Sequence, residues 1–310
     1  QANDSEAIRR AIWDAKPYQP DGIIDAKTLL KEVTTPQKES DHDYPYEGLN
    51  KKLRGIRYGS LVTFTSGTGQ GKSTITREIA THLLNKGERV GFLDLEASNR
   101  QTALGLMSTA VGVPLHIGEH GEQELTDAFN QTIANWNLYM FDGFGSFDPD
   151  VVYNRIEYLA TGLECKVVFL DHLSILLSGL DGDERRMIDQ TMTKLRSLVE
   201  RTGITLFLVS HLRRSGNDRK SSEEGGRVSL SMLRGSHSIS QISDAVIALE
   251  RNQQSEEERS NTTLRVLKNR YSGETGIAAN LTYDLSKCRF SENDVTEPSF
   301  LRGTSETTDF

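Results

Sequence analysis

The sequence predicts an α/β fold with a mostly parallel central sheet. From Gly59 onward, short apolar runs alternate with longer segments of 3.6-residue periodicity, which is typical of successive strand and helix units. A glycine-rich segment at 66–73 joins the first of these apolar runs to the first helical segment. The chain of 310 residues is 36% hydrophobic, which is enough for a sizeable core.

The individual elements can be placed from the same patterns. Four helix ends carry recognisable signals, namely a capping box of Ser98 and Gln101, an N-cap at Asp148 before Pro149, and helix-ending glycines at Gly87 and Gly203. The later strands are expected to pair as hairpins. The eight predicted strands are 60–65, 89–95, 137–142, 166–171, 204–210, 244–249, 263–269 and 277–284.

Three regions are predicted along the chain. Residues 1–48 form a linker with an amphipathic helix at 5–16, whose apolar face needs a partner, followed by a polar connector at 34–48. Residues 49–290 form the α/β domain. Residues 291–310 are acidic and poor in apolar residues, and we expect this tail to be disordered.

Composition excludes some classes of protein. No run approaches the roughly 18 to 20 apolar residues of a membrane span, and no N-terminal signal segment is present, so we expect a soluble, intracellular protein. Cys165 and Cys288 have no CxxC spacing and no nearby histidine, so neither a disulfide framework nor a zinc site is expected. Because the chain starts at Gln1 within a polar stretch, we expect further polypeptide before it.

The net charge of −8 argues against nucleic-acid binding, but its distribution does not. The last twenty residues contribute −4 of the total. One Gly/Ser-containing segment, 213–220, is basic, and local positive charge of this kind meets phosphates. Its basic residues are Arg213, Arg214, Arg219 and Lys220, opposed only by Asp218.

The segment Ser-Gly-Thr-Gly-Gln-Gly-Lys-Ser at 66–73 has the context of a P-loop, since it follows a strand and opens a helix. In such a loop, backbone N–H groups surround phosphates, Lys72 binds the β and γ oxygens, and the Ser73 hydroxyl binds Mg²⁺. The strict pattern begins with glycine, where this chain has Ser66. The predicted nucleotide-binding residues are Ser66, Gly67, Thr68, Gly69, Gln70, Gly71, Lys72, Ser73 and Thr74.

Polar side chains end three further strands, and the carboxyl ends of parallel strands meet at one edge of the sheet. Asp171 ends a buried run and is the candidate for holding Mg²⁺, although an acidic strand end is also a common structural feature. Glu96 is the candidate general base. Asp94 is the competing candidate, but the alternation of side chains along the strand places it on the opposite or less terminal side of that strand. His211 ends a strand at the same edge and is a candidate γ-phosphate contact, although a lone histidine is more often structural.

These motifs together resemble the helicase domain of bifunctional phage primase-helicases of the coliphage T-seven type. That family is related to bacterial hexameric replicative helicases and to the mitochondrial helicase Twinkle. The resemblance implies a RecA-like P-loop NTPase core preceded by a linker helix. It is carried by TSGTGQGKST at 65–74, FLDLEAS at 92–98, VVFLDHLSIL at 167–176, SHLRR at 210–214, LRGSHSISQISDAVIALERNQQ at 233–254 and LKNRYSGETGIA at 267–278.

The resemblance implies a role for single residues of the nucleotide site. Glu96 would be the catalytic base, and His211 would sense the γ-phosphate and couple hydrolysis to the following loop. Gln241 would be a second link between nucleotide state and DNA. Arg270 would be an arginine finger acting on a neighbouring subunit's nucleotide, although a strand-end arginine in solvent is the ordinary alternative. Arg251 and Tyr283 would hold the base by stacking, but Tyr283 could equally be a core residue.

The resemblance also implies partners and cofactors. It predicts Mg²⁺, an NTP substrate (ATP or dTTP), and a homo-oligomeric ring, commonly a hexamer, in which helix 5–16 packs on the adjacent subunit. The loop 212–226 would line a channel for single-stranded DNA, with 5′ to 3′ movement and little sequence preference. The predicted DNA contacts are Arg213, Arg214, Arg219, Lys220 and Arg234. The tail would bind the replicative DNA polymerase through Phe310, although it could be merely solubilising. A phage protein of this kind would act in the host cytoplasm.

Two other functions fit part of the sequence. A strand-exchange recombinase shares a RecA-like core but grows open helical filaments rather than closed rings. A nucleotide-gated scaffold would need neither Glu96, His211 nor Arg270, and their joint presence argues against it.

Overall fold

The structure is a computed structural model that describes residues 26–35, 39–143, 148–177, 184–212, 221–222, 224–233 and 236–293. The chain divides into two compact units, Gln1–Lys38 and Glu39–Phe310. In the first unit the described part contains one helix, α1 (Ala26–Thr34). The predicted helix at 5–16 lies outside the described residues.

The second unit is built on a nine-stranded sheet, and all eight predicted strands are confirmed. The order across the sheet is β3-β2-β4-β5-β1-β6-β7-β8-β9, with parallel pairing from β3 to β6 and antiparallel pairing from β6 to β9. The strands are β1 (Leu61–Ser66), β2 (Val90–Asp94), β3 (Leu138–Met140), β4 (Val167–Asp171), β5 (Thr205–His211), β6 (Ala245–Glu250), β7 (Asn261–Asn269), β8 (Gly276–Asp284) and β9 (Arg289–Asn293).

Helices cover both faces of the parallel part of the sheet. The predicted capping box of Ser98 and the N-cap of Asp148 are both present. Among the described residues, no helix is long and apolar enough to cross a membrane. The α-helices of this unit are α2 (Glu47–Leu53), α3 (Lys72–Asn85), α4 (Asn99–Val111), α5 (Glu122–Gln131), α6 (Pro149–Thr161), α7 (Leu173–Leu177), α8 (Glu184–Thr202) and α9 (Ser236–Ile242).

The sheet separates two apolar cores, because successive strand residues face opposite sides. On one face, α2 and α3 pack on a row of phenylalanines from four neighbouring strands. Their ring centroids are 5.2 Å apart between β2 and β4, 4.8 Å between β4 and β5, and 6.1 Å between β5 and β1. On the other face, α6 and α8 cover the leucines and valines of the same strands. The four phenylalanines are Phe92, Phe169, Phe207 and Phe64.

Both predicted boundaries of the α/β domain need correction. The compact unit begins at Glu39, not at residue 49, because Tyr44 and Tyr46 are buried in the core and the Tyr46 hydroxyl donates to Glu78 at 2.6 Å. At the other end β9 continues to Asn293, so three residues assigned to the tail belong to the sheet.

One side chain joins these two corrected segments. The Glu292 carboxylate accepts the Glu47 N–H at 2.6 Å and the Gly48 N–H at 2.8 Å, which are the first amides of α2. A carboxylate at a helix N-terminus is favourable because the terminal N–H groups have no partner within the helix. The two ends of the domain are therefore held together at α2.

Candidate functional site

The glycine-rich segment forms a loop from the end of β1 to the start of α3. Gly69 and Gly71 have φ values of 70° and 95°, a left-handed region that glycine adopts without strain. Gly71 is the N-cap of the 14-residue helix α3 and provides no side-chain cap. The first amides of α3 are thus available to an anion, as the prediction of a P-loop requires.

Lys72 lies under this loop and is almost completely buried. Its ammonium group donates to the Gly67 carbonyl at 2.8 Å and to the Ser66 hydroxyl at 3.0 Å. Burial lowers the pKa of Lys72 to about 8, an effect opposed by the negative charges of Asp171 and Glu96. Ser66, which replaces the usual glycine, therefore supplies a hydrogen-bond acceptor for Lys72.

Ser73 and Asp171 lie together at the ends of α3 and β4. The Ser73 hydroxyl donates to Asp171 Oδ2 at 2.8 Å, and Asp171 Oδ1 is buried without a hydrogen-bond partner among the described residues. Burial, followed by the negative charge of Asp94, raises the pKa of Asp171 to about 7. An unpartnered buried carboxylate oxygen beside a hydroxyl fits a Mg²⁺ ion, which prefers oxygen ligands. Mg²⁺ would therefore be held by Ser73, Asp171 and the nucleotide phosphates.

The two acidic residues after β2 differ sharply in environment. Asp94 is buried, and its carboxylate accepts from the Glu96 N–H, the Ala97 N–H and, at 2.6 Å, the Thr102 hydroxyl. Asp94 thus holds the turn after β2. The Glu96 side chain is 58% exposed and reaches to 3.4 Å from His172 Nε2. This geometry supports Glu96, rather than Asp94, as the candidate base.

His211 ends β5, the strand between β1 and β4. It pairs in register with Ser66, the first residue of the loop, and its ring packs edge-on against His172 with 4.3 Å between centroids. The ligand atoms of Glu96, His172 and His211 all lie within 4.8 Å of one another. His172 was not assigned a role from the sequence, although it follows Asp171 within a motif that was recognised.

Arg251 and Tyr283 lie on the other flank of the loop. Arg251 donates to the Gly69 carbonyl at 3.3 Å, and its pKa is lowered by burial and by Arg259. Tyr283 packs on Phe290 with 5.0 Å between ring centroids, and burial raises the pKa of Tyr283 to about 12. Tyr283 lies on β8 and Phe290 on β9, next to the start of α3.

Three residues beside the loop were missed from the sequence. Gln253 donates to the Thr68 carbonyl at 2.8 Å. The Ser222 carbonyl accepts a hydrogen bond from the buried Gln70 amide, and a Cβ atom on Gly67 would collide with the Ser222 hydroxyl. Phe290 lies 3.5 Å from the position of a Cβ atom on Gly71. Gln253 lies within the recognised motif at 233–254 but was given no role, and no local motif marks Ser222 or Phe290, since their contacts join residues far apart in sequence.

Arg270 does not belong to this cluster. Its backbone N–H donates to the Asp244 carbonyl, and its guanidinium donates to the Asp244 carboxylate at 3.0 Å. Asp244 in turn accepts the Leu61 N–H, at the start of β1, whereas the P-loop follows the end of that strand. Gln241 lies beside Arg270, because its carbonyl accepts from the arginine at 3.4 Å. The two candidates thus lie at the sheet edge opposite the chain's own P-loop, roughly 16 Å away along β1.

The candidate DNA and polymerase contacts lie outside the described residues. They are Arg213, Arg214, Arg219, Lys220, Arg234 and Phe310. The described ends of the 212–226 loop do contact the P-loop: the Leu212 N–H donates to the Ser66 carbonyl at 3.3 Å, and Ser222 binds Gln70. The loop that carries the predicted DNA contacts is therefore anchored on the nucleotide site at both ends.

A buried lysine in a glycine loop, a Ser–Asp pair for Mg²⁺ and polar groups on adjacent parallel strands define a P-loop NTPase of RecA-like fold. The chain belongs to the DnaB-like helicase C-terminal domain family, whose pattern matches residues 43–292. This membership favours the helicase interpretation over the recombinase and the scaffold.

Relatives of the chain include a DNA helicase/primase of Enterobacteria phage T3, 35% identical over an alignment of 313 positions that covers 97% of this chain and 54% of the relative. A probable plasmid replicative DNA helicase of Chlamydia muridarum is 26% identical over 91% of this chain and 62% of its own length. The chain thus spans about half to two thirds of these relatives.

Solved structures share the fold. One of them, an ATPase domain, is 19% identical, with a TM-score of 0.71 over 89% of this chain and 100% of its own. A DnaB-like replicative helicase, solved in a study of its interactions with primase, is 18% identical, with a TM-score of 0.71 over 93% and 71% of the two chains.

Proposed function

We propose that this chain is the motor domain of a replicative DNA helicase, which hydrolyses an NTP between neighbouring copies and moves along single-stranded DNA. The observation that carries the proposal is the position of Arg270. The nucleotide site contains a lysine, a Mg²⁺ pair and a base, while the candidate arginine finger lies at the opposite edge of the sheet. A finger in that position can serve only a second copy of the chain.

The described residues support a direct attack of water on the γ-phosphorus. The α3 amides and Lys72 hold the phosphates, and the bound Mg²⁺ supplies positive charge that stabilises the transferring group. Glu96 accepts a proton from the attacking water as the new P–O bond forms, and the nucleoside diphosphate leaves with the electrons of the broken bond. The exposure of Glu96 lets its carboxylate reach this water.

His211 is proposed to couple this reaction to DNA. It is in register with the first P-loop residue, and the 212–226 loop begins directly after it. A contact between His211 and the γ-phosphate would shift the start of that loop, while the Gln70–Ser222 hydrogen bond would report on its other end. Gln241, which contacts Arg270, would carry a second signal from the neighbouring subunit's nucleotide.

The substrate and partners follow from the same placement. Arg251, which donates to the Gly69 carbonyl, and Tyr283, which packs on Phe290, would stack on the base of ATP or dTTP, which requires no base-specific hydrogen bond. The basic residues of the 212–226 loop and Arg234 would bind the DNA backbone in a ring channel, commonly of six subunits, with 5′ to 3′ movement. The acidic tail would dock Phe310 on the replicative DNA polymerase. The host cytoplasm is the proposed site of action.

Mixed rings test the proposal most directly. Lys72→Ala should abolish DNA-stimulated hydrolysis. Arg270→Ala should lower the rate of DNA-stimulated hydrolysis by about 10³-fold or more, while nucleotide binding is retained. In an equal mixture of the two variants, about a quarter of the interfaces would combine an intact Lys72 from one subunit with an intact Arg270 from its neighbour. The hydrolysis rate should therefore return to about a quarter of the rate of the unmodified protein. The measurement is steady-state NTP hydrolysis with Mg²⁺, with and without single-stranded DNA.

Arg54→Ala is the matched control. Arg54 is 52% exposed and paired with Glu274, much as Arg270 is 50% exposed and paired with Asp244. We expect Arg54→Ala to leave hydrolysis unchanged. An Arg270→Ala variant that remains active, or a mixture of inactive variants that stays inactive although it assembles, would refute a site completed by a second subunit.

A further inference from the structure

Beside the P-loop, the structure brings together two imidazoles and a carboxylate that the Mg²⁺ pair does not use. They are Glu96 after β2, His172 after β4 and His211 at the end of β5. The β2, β4 and β5 strands are neighbours in the sheet, so their carboxyl ends converge at one place. Asp171 and Ser73 supply only oxygen, whereas this cluster supplies two nitrogen donors.

The spacing of one donor pair matches a tetrahedral metal ion, and the third donor lies close to both. Bonds of about 2.0–2.1 Å to a tetrahedral Zn²⁺ place two donors roughly 3.3 Å apart. His172 Nε2 and Glu96 Oε2 are 3.4 Å apart, and all three ligand atoms lie within 4.8 Å of one another. His172 and His211 are already arranged edge-on, with an angle of 86° between their rings. Rotations of the His211 ring and of the exposed Glu96 side chain would bring all three donors to bonding distance.

The chemistry of the donors selects the class of ion. Imidazole nitrogens favour Zn²⁺, Co²⁺, Ni²⁺ and Cu²⁺, whereas Mg²⁺ takes oxygen ligands. Two histidines and one glutamate are a common ligand set for Zn²⁺ with a fourth position open. His172 is buried, which keeps one ligand in a fixed position before any ion arrives.

We propose that Glu96, His172 and His211 bind one divalent transition-metal ion of the Zn²⁺ class and that this ion inhibits NTP hydrolysis. Once its carboxylate ligates the ion, Glu96 no longer accepts a proton from the attacking water, and His211 no longer reaches the γ-phosphate. The inhibitory part rests on the proposed function, but binding of the ion does not. The site would make the motor sensitive to free zinc while Mg²⁺ remains its working metal.

Binding is tested with Co²⁺ added to nucleotide-free protein in chelator-treated buffer. A tetrahedral nitrogen–oxygen site gives intense visible absorption, whereas Co²⁺ at an oxygen site such as Ser73–Asp171 absorbs weakly. We expect one such site per chain, displaced by Zn²⁺, and affinity reduced at least tenfold by either His172→Gln or Glu96→Gln. Glu96 is largely exposed, so its variant keeps the test valid even where His172→Gln impairs folding.

His120→Gln is the matched control for binding. His120 lies 3.0 Å from Glu124 and forms a histidine–carboxylate pair that has no third ligand within the described part of the chain. This variant should retain the Co²⁺ spectrum of the unmodified protein. Absence of the spectrum, or a spectrum unaffected by His172→Gln and Glu96→Gln, would overturn the proposed site.

Inhibition is tested by adding Zn²⁺ to the Mg²⁺-dependent hydrolysis reaction. Relative to its own rate without Zn²⁺, His172→Gln should need at least about tenfold more Zn²⁺ for half-inhibition than the unmodified protein does. Binding of Co²⁺ without inhibition by Zn²⁺ would overturn the inhibitory role. Lack of hydrolysis in chelator-treated, unmodified protein with Mg²⁺ would instead refute the proposed function, so the two failures are distinguishable.

Discussion

Glu78 links the P-loop helix to both ends of the domain, and its replacement by glutamine should change how stability depends on pH. The carboxylate accepts the Tyr46 hydroxyl and the Phe290 N–H, each at 2.6 Å. Burial raises the pKa of Glu78 from 4.5 to about 7, against the opposing effect of these hydrogen bonds and of Arg289. The folded protein therefore binds a proton at this site more tightly than the unfolded chain does.

The sign and size of the effect follow from this shift. The stability contributed by protonated Glu78 is fully present below pH 4.5 and is lost as pH rises to about 7. A difference between 4.5 and about 7 corresponds to at most about 3 kcal/mol of unfolding free energy. Glutamine keeps the shape and both contacts, because the Tyr46 hydroxyl can rotate to accept from the amide. The variant should thus gain stability relative to the unmodified protein, by up to that amount, between pH 5 and pH 8.

Urea unfolding at a series of pH values measures this difference directly. Glu164→Gln, which removes an exposed pair with Arg89, is the control and should change the pH dependence little. Unfolding free energies of Glu78→Gln and the unmodified protein that run parallel from pH 5 to pH 8 would refute a buried carboxylate with a raised pKa.

Two further substitutions test other buried charges. Asp171→Asn should raise the unfolding free energy in Mg²⁺-free buffer at pH 8, because the raised pKa of Asp171 means that its ionised carboxylate costs stability above about pH 7. The same variant should abolish Mg²⁺-dependent hydrolysis. A variant less stable than the unmodified protein in thermal melts at pH 8 would contradict the first expectation. Arg265→Met should cost about 3–5 kcal/mol in urea unfolding, because it leaves the fully buried Glu250 without its 2.8 Å ion pair. A loss below about 1 kcal/mol would show that the Val228 N–H alone satisfies that carboxylate.

Five of the eight strands, namely β1, β2, β4, β5 and β6, could be predicted because strands buried on both faces appear in the sequence as near-continuous apolar runs. The ninth strand could not. Residues 289–293 are mostly exposed at the sheet edge, and their sequence, RFSEN, carries little apolar signal. Tyr44 and Tyr46 were likewise taken as part of a connector, because their core partners lie far away in sequence.

In the candidate site, too, residues in local sequence patterns could be predicted, whereas contacts made by the tertiary fold could not. Lys72, Ser73 and Asp171 were predicted because a P-loop and a buried strand with an acidic end are local patterns, and the structure brings them together. The contacts of Gln253 and Ser222 with the loop depend on the tertiary fold, so even the motif that contains Gln253 did not indicate its contact with Thr68. Alternation along β2 suggested Glu96 over Asp94, and the three hydrogen bonds to Asp94 give the physical reason.

Arg270 lies beside the start of β1, and the P-loop follows the end of that strand. This arrangement restricts the symmetry of any assembly in which one copy completes another's site. A two-fold contact that completes both sites must include both edges of each copy, so it closes at two copies. A head-to-tail contact uses one edge of each copy, and it leaves both a free donor edge and a free acceptor edge until the assembly closes. Each copy then belongs to two nucleotide sites, and the order of copies around the assembly has a direction.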